Sequence, residues 1–430
     1  MKKLLTVLVV LLAAVVSCDR DETKDRINIS SPKPKSAITR VSLSDEQKEY
    51  VNAGNTFAFN CLKDLYGQSR GGSLVFSPLS LQYALAMVAN GASGETRDEI
   101  TSCLGFGEDP DAMNSYCNKL LNELPALDLK VDLSLSNAMI VSDRFDVTKA
   151  YEKILNDTYY APVEYIDASN KERTVKRINE WAYRNTRGFI SPFLSEDNLS
   201  DSFVAIILNA LYFKAKWMTI GNNPLFEKEN TLKQKPFYYA DGGEGKADYL
   251  AGELQTIPYG IQDGYRILGI PYSNQSFVFF ILLPDENDGL QDLIEKLPQS
   301  SWKEISEAFY YSTLVDFRFP KFEVESKYSL LEMLGHLGIN KAFIPDVACF
   351  DRMLESDNSF FIGNVLQKAR IKVEEEGTTA AAVTGVMVGE SAAPVEPPKA
   401  AVFHADHPFV YLIAEKTSGV ILFEGVYTGK

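Results

Sequence analysis

Two stretches of the chain carry residue types at spacings that break bonds in other proteins. Gly67-Gln68-Ser69-Arg70-Gly71 matches the G-x-S-x-G turn that holds a serine nucleophile between a strand and a helix. That elbow needs a buried strand before it and a helix after it. Here residues 55–66 have helical periodicity, and a short strand, Leu74-Val75-Phe76, follows. The pattern predicts a glycine-rich turn, and a serine hydrolase built on Ser69 stays a remote alternative. His404 and His407 form an H-x-x-H pair without a third ligand and without the glutamate of an H-E-x-x-H site. They predict packed, hydrogen-bonded side chains. Gly242-Gly243-Glu244-Gly245 follows no strand that would open a dinucleotide site, and no phosphate-binding lysine loop occurs. With 3 His in the whole chain, general bases and metal ligands are scarce, and no metal or cofactor is expected. Carboxylate pairs are abundant, but none stands out as catalytic.

The elements that would position any chemistry begin after an amino-terminal address. Lys2 and Lys3 precede the run Leu4–Val16, then Ser17-Cys18. A run this short cannot cross a bilayer as a helix but suits the apolar centre of a signal peptide. A small residue before Cys resembles the lipobox of bacterial lipoproteins, so residues 1–17 are expected to be removed and Cys18 lipidated. Asp19, Asp21 and Glu22 resemble the export signal of surface lipoproteins. Residues 18–44, with Ser30-Ser31-Pro32-Lys33-Pro34-Lys35, read as a flexible tether to an outer membrane. From residue 45 to 430 there is no repeat, linker or shift in composition, so one domain is expected.

Composition bounds what that domain does. Of 430 residues 45% are apolar, enough for a large core, and the formal charge of −15 with no basic block excludes nucleic acid as a partner. Cys61, Cys103, Cys117 and Cys349 fit no zinc spacing. Export would permit a disulfide, with Cys103 and Cys117 the nearest pair; buried free thiols are the alternative.

Helices and strands occur without strict alternation, which predicts an α+β domain with large sheets. Ser77-Pro78 opens a helix with apolar Leu81, Ala84, Leu85, Val88 and Ala89, ending at Asn90-Gly91. Thr96 and Glu99 form a capping-box pattern for the next helix. Segments 203–213 and 277–283 read as fully buried strands. In 314–324 Val315, Phe317 and Phe319 share a side. In 365–374 Val365, Gln367, Ala369, Ile371 and Val373 share a face. Segments 409–414 and 420–427 read as a hairpin about Lys416-Thr417-Ser418-Gly419.

Between two good strands lies Gly377–Ala401, 25 residues of mainly Ala, Val, Thr, Gly and Pro. A structureless loop of that length inside a domain is usually functional.

Several motifs in order resemble the serpins, the serine protease inhibitor family. They are Phe76-Ser77-Pro78-Leu79-Ser80 with Ala84-Leu85-Ala86-Met87, then Gly91-Ala92-x-Gly94-x-Thr96, Asn179-x-Trp181 and Thr186-x-Gly188-x-Ile190. Leu208–Lys214 with Trp217, Glu375–Thr384, Ala405–Phe409 and Gly419-x-Ile421-Leu422-Phe423-x-Gly425 follow. The resemblance covers residues 45–430. It implies a single serpin-like domain of about nine helices and three β-sheets, monomeric, with an exposed reactive-centre loop. A protease attacks that loop and becomes acylated. The loop then inserts into the large sheet and drags the protease with it. The alternative within the family is a non-inhibitory surface binding protein.

The resemblance also implies site residues. The hinge is Glu375, Glu376, Gly377, Thr378, Thr379, Ala380, Ala381 and Ala382. Ser77, Ser80 and Asn209 match the shutter beneath the sheet's centre, where Gln367 replaces the usual histidine. Trp217 matches the breach, where the loop first enters. Sixteen residues after Glu375 is Ser391, so the reactive bond is Ser391-Ala392, with Glu390-Ser391 the alternative. Small flanking residues suit a narrow pocket of the elastase or subtilisin kind. Inserted from Thr378, the loop would turn Thr378, Ala380, Ala382, Thr384, Val386 and Val388 inward, none charged. No proline precedes Pro394, so every amide up to it can donate.

Overall fold

The longest apolar runs of the chain lie side by side. The computed structural model describes residues 5–16, 32, 34, 36–190, 192–200, 203–311, 313–356, 359–375 and 400–430. Its central sheet contains β1 (Leu5–Val16), β2 (Asp132–Ser142), β3 (Val163–Ile166), β4 (Phe203–Lys214), β5 (Phe322–Ser329) and β6 (Phe360–Val373) in the order β5-β6-β1-β4-β2-β3. β4 and β6 both run parallel to β1, which lies between them. β2 is antiparallel to β4, and β5 is antiparallel to β6.

Two further sheets complete the α+β fold. One has four strands, from the edge Ala401–His404 through Val315–Pro320 and Glu244–Leu254 to Leu232–Tyr238. The other has seven, including Phe277–Pro284 and the hairpin of Phe409–Glu415 with Ile421–Tyr427. Among the described residues there are nine α-helices, as the resemblance implies. The hairpin turn closes on Gly419 at φ +79°, a conformation suited to glycine. The buried Glu415 carboxylate accepts from Thr417 N at 3.0 Å and Ser418 N at 2.6 Å, tying that turn.

Helix α1 (Asp45–Gln68) starts at Ser44, whose side chain caps Gln47 N. Helix α2 (Pro78–Gly91) starts where Ser77-Pro78 predicts, and all its residues are buried. The capping box expected at Thr96 and Glu99 does not form. Helix α3 (Gly94–Leu104) begins earlier, with Ser93 as its cap residue. Both side chains serve long-range contacts instead. Thr96 Oγ1 accepts from Cys349 N at 3.0 Å, and the Glu99 carboxylate accepts from Asn340 N and Lys341 N, each at 2.8 Å. Tertiary partners outcompete a local cap when they lie on the same turn of helix.

The amino-terminal run departs most from the sequence reading, which treats it as an address without a place in the fold. Here Leu5–Val16 is a central strand. An uncharged, β-branched run has the composition of a signal-peptide centre and of a strand buried on both faces, and nothing local separates the two. Val7, Val9, Leu11 and Ala13 join the main core, while Leu8, Val10, Leu12 and Ala14 pack toward Ile178, Trp181 and Ala182 of helix Lys171–Asn185. Gly363 of β6 gives Thr6 its seat. A Cβ there would strike the threonine methyl, and the register of β1 on β6 shifts beside it.

The other patterns hold. Val365, Gln367, Ala369, Ile371 and Val373 are all buried on one face of β6, and Val315, Phe317 and Phe319 are buried on theirs. Cys61, Cys103, Cys117 and Cys349, the cysteines among the described residues, are free thiols: Cys61 and Cys117 are buried, Cys103 and Cys349 half-buried.

One buried group is at odds with its surroundings. Glu424 is fully buried on the Ile421–Tyr427 strand, and neither carboxyl oxygen has a hydrogen-bond partner among the described residues. Burial drives its carboxyl well above the usual range, which favours the protonated form in the fold. A raised folded value means stability is present below the unfolded carboxyl range, near pH 4, and is lost as pH rises. Glu424→Gln should therefore unfold at higher denaturant than the parent at pH 8, with a smaller gain at pH 5. Urea titrations at the two pH values measure this, and equal shifts would contradict it.

Candidate functional site

The inner edges of β4 and β6 define a slot one strand wide. β1 pairs with both along its length, from Thr6 beside Phe203 and Phe361 to Val16 beside Lys214 and Lys372. Midway, Leu11 sits between Asn209 of β4 and Gln367 of β6.

Beneath that midpoint lies a buried polar cluster. Ser77 ends a strand that ties it to the carboxy-terminal hairpin, since its Oγ donates to Leu422 O at 2.8 Å. Ser80, one turn into α2, donates its hydroxyl proton to Asn209 Oδ1. Asn209 Nδ2 donates to Asn137 Oδ1 at 2.6 Å, and Asn137 Nδ2 donates to Tyr159 O at 2.9 Å. Gln367 docks on the backbone of Ser77: its Oε1 accepts from Ser77 N at 3.0 Å, and its Nε2 donates to Ser77 O at 3.1 Å. A buried amide without partners would cost a few kcal/mol, and these two bonds remove that cost. The four residues assigned to the shutter from sequence, Ser77, Ser80, Asn209 and Gln367, therefore do meet. Asn137 is a fifth member that sequence reasoning missed. Its one signal is an amide within a strand that is buried almost throughout.

A second cluster closes the end of the slot where β4 and β6 finish. Trp217 Nε1 donates to Glu374 O at 2.8 Å, joining the segment after β4 to the segment after β6. Its indole stacks on Tyr272 at 4.5 Å between centroids and meets Phe226, Phe279 and Phe319 edge-on. Glu375, the first residue of the expected hinge, is buried. Its carboxylate pairs with Lys321 Nζ at 2.7 Å and accepts from Thr231 Oγ1. Burial pushes this carboxyl up, but the Lys321 and Thr231 hydrogen bonds outweigh it and hold it below the usual range. Lys321 and Thr231 lie 54 and 144 residues from Glu375, and no local pattern announces them.

The chain re-enters at Ala401, whose N–H donates to Leu314 O at 2.8 Å, and Ala401–His404 then pairs parallel with Val315–Arg318. Hinge residues Glu376, Gly377, Thr378, Thr379, Ala380, Ala381 and Ala382, the reactive-bond candidates Glu390, Ser391 and Ala392, and Cys18 lie outside the described residues.

The enzyme-like motifs come to nothing as machinery. Ser69 follows the last turn of α1, with Oγ donating to Tyr66 O at 2.8 Å, and no strand leads into it. His407 is buried, its Nε2 2.9 Å from Pro284 O and its Nδ1 3.2 Å from Asp406. Burial pushes the Asp406 carboxyl up, but His407 and Arg318, the latter at 2.8 Å, hold it below the usual range. His404 instead faces Asp316 at 3.4 Å. Among the described residues no group of three or more His, Cys, Asp or Glu could hold a metal.

The resemblance assigns Ser77, Ser80, Asn209 and Gln367 to a cluster beneath the sheet's centre and Trp217 to the loop's point of entry; the structure brings the first four together under β1 and sets Trp217 against Glu374. The model of the serpin (serine protease inhibitor) family matches residues 52–429. Antichymotrypsin-2 of Bombyx mori is 30% identical over 387 residues, which cover 87% of this chain and 97% of that protein. Antitrypsin of the same insect is 29% identical over 388 residues, covering 87% and 93%. Among solved structures, the thermophilic serpin tengpin in its native state superposes with a TM-score of 0.77 at 27% identity, covering 92% of this chain and 97% of tengpin. The chain belongs to the serpin family.

Proposed function

We propose that this protein is a suicide-type inhibitor that traps a serine-type protease by inserting its cleaved loop between β4 and β6. The observation that carries this reading is the slot itself. Two parallel strands hold a complete extra strand between them, 12 residues long and paired on both sides. The hinge leaves β6 at the clasped end of that slot, beside Trp217. A loop that turns back there runs down the slot antiparallel to β6.

The chemistry is borrowed from the target. The protease serine Oγ attacks the carbonyl of Ser391, the bond to Ala392 breaks, and the new amine of Ala392 takes a proton and departs. The Ser391 acyl group stays on the protease as an ester. Deacylation by water then competes with insertion. An inserted strand of about a dozen residues adds hydrogen bonds of about 1 kcal/mol net each. Their sum, on the order of 10 kcal/mol, rivals the stability of a domain. Uninserted chains are therefore held kinetically. Trp217, Glu375 and Lys321 act as the clasp at the entry, and the Ser77–Ser80–Asn209–Gln367 cluster governs how the sheet parts.

The small residues Gly389, Ser391, Ala392 and Ala393 suit an elastase-like or subtilisin-like target. Anchoring through a lipid on Cys18, at an outer-membrane surface, is supported by the sequence of residues 2–22 alone.

Mixing the chain that begins at Cys18, without residues 1–17, with a panel of such proteases should give a complex that survives boiling in detergent. Only cleaved inhibitor and free active protease across the panel would overturn the reading. Thr378→Arg sharpens the test. It drives an unpaired guanidinium into the sheet, at several kcal/mol, and each 1.4 kcal/mol on the insertion barrier slows it about tenfold. The variant should be cleaved at the parental rate and yet leave the protease active.

Mass spectrometry of the released carboxy-terminal fragment should find Ala392 at its amino-terminus. Ser391 there would point to a glutamate-specific protease, and any other residue would contradict the assignment.

Cys18→Ala should leave the protein in the soluble fraction or stalled as precursor. Unchanged membrane association would remove the lipid from the account.

A further inference from the structure

The strand that fills the slot comes from the wrong end of the chain. β1 is residues 5–16, and its direction is parallel to both neighbours. A strand entering from the hinge after β6 runs the other way, antiparallel to β6. Either one uses up the facing N–H and C=O groups of β4 and β6, so the slot holds one of them at a time.

The seat of β1 is specific in shape and polarity. Val7, Val9, Val10, Leu11, Leu12, Ala13 and Ala14 are each 0% exposed, and Leu8 is 5% exposed. Gly363 supplies the one place where a side chain on β6 would collide with Thr6. Pro32 and Pro34 line a cavity with Asp132 and Arg187, and Asp132 pairs with Lys214, which pairs with Val16. The chain after β1 is therefore next described close to the end of the sheet where β1 stops. Fifteen residues of covalent chain can span roughly 50 Å, so the strand is tied to its slot at an effective concentration in about the millimolar range.

We propose that Leu5–Val16 is an intramolecular plug: while attached it occupies the slot that the reactive loop needs, and the chain cannot trap a protease until the plug leaves. The proposal rests on the loop-insertion reading above and adds its regulation. Removal of residues 1–17, expected from the sequence for export, is then also the step that arms the inhibitor. The ligand class of the slot follows from the plug: an uncharged extended peptide of Val, Leu and Ala, running parallel to β4 and β6.

The test uses the full chain. Amide hydrogen exchange followed by mass spectrometry should show residues 5–16 protected in the parent to the level of β4 and β6. Free exchange there would overturn the proposal without any variant. Leu11→Lys puts an ammonium at the buried midpoint, between Asn209 and Gln367, and should release the segment to free exchange. With a protease that cleaves the loop, the parent should be cleaved and release active enzyme. Leu11→Lys should form at least tenfold more detergent-stable complex, and a synthetic peptide of sequence 5–16 added in trans should suppress it again. Equal trapping by parent and variant would overturn the plug and leave the trapping mechanism standing. Protection that Leu11→Lys abolishes, with no trapping by either chain, would keep the plug seated and sink the trapping mechanism instead.

Discussion

Two parallel strands held one strand apart govern this molecule. β4 and β6 each present an inner row of N–H and C=O groups, and β1 satisfies both rows. Buried backbone polar groups without partners are expensive, so the space between these strands is filled by a third strand, closed by their approach, or wet. The fold is organised around that choice. Helix α2 runs beneath the sheet and is buried throughout, and its first turn carries the serines that reach the midpoint of the slot. The clasp at Trp217 sits where the slot opens toward the hinge.

The polar cluster below the slot suits a sheet with more than one arrangement. An apolar core resists rearrangement because its packing is dense and unique. Amides and hydroxyls exchange partners at little net cost provided each finds another. Ser80, Asn209 and Asn137 form a chain of such groups from α2 through β4 to β2. Gln367 bonds the Ser77 backbone from β6, so the two sides of the slot are held to the same turn of chain. In this role glutamine does what a neutral imidazole would, with one acceptor and a donor in fixed geometry.

Two buried carboxyls show how differently the fold treats the same group. Glu375 has Lys321 and Thr231 within hydrogen-bonding distance and is held ionised. Glu424 has no partner among the described residues, and its burial favours the neutral form. The first ties the end of the segment after β6 to Lys321 and Thr231. The second leaves the carboxy-terminal hairpin less stable than an apolar residue would.

The sequence by itself determined a good deal: the α+β class, the start of α2 at Ser77-Pro78, the inward face of β6, the hairpin at Gly419 and the family. Each rests on a local period, a cap or an ordered set of motifs, which the chain carries whatever it folds against. That Ser77, Ser80, Asn209 and Gln367 form one buried cluster was legible through that family order, and the parts of Asn137, Thr231 and Lys321 were not. Tertiary structure alone decided three things. It gave Thr96 and Glu99 to distant backbone amides instead of a cap. It paired Glu375 with a lysine far away in sequence. It placed Leu5–Val16 in the central sheet. Burial and strand pairing are settled by whichever surface is open to receive a segment, and an uncharged run of Val, Leu and Ala is equally suited to a bilayer and to a slot between strands.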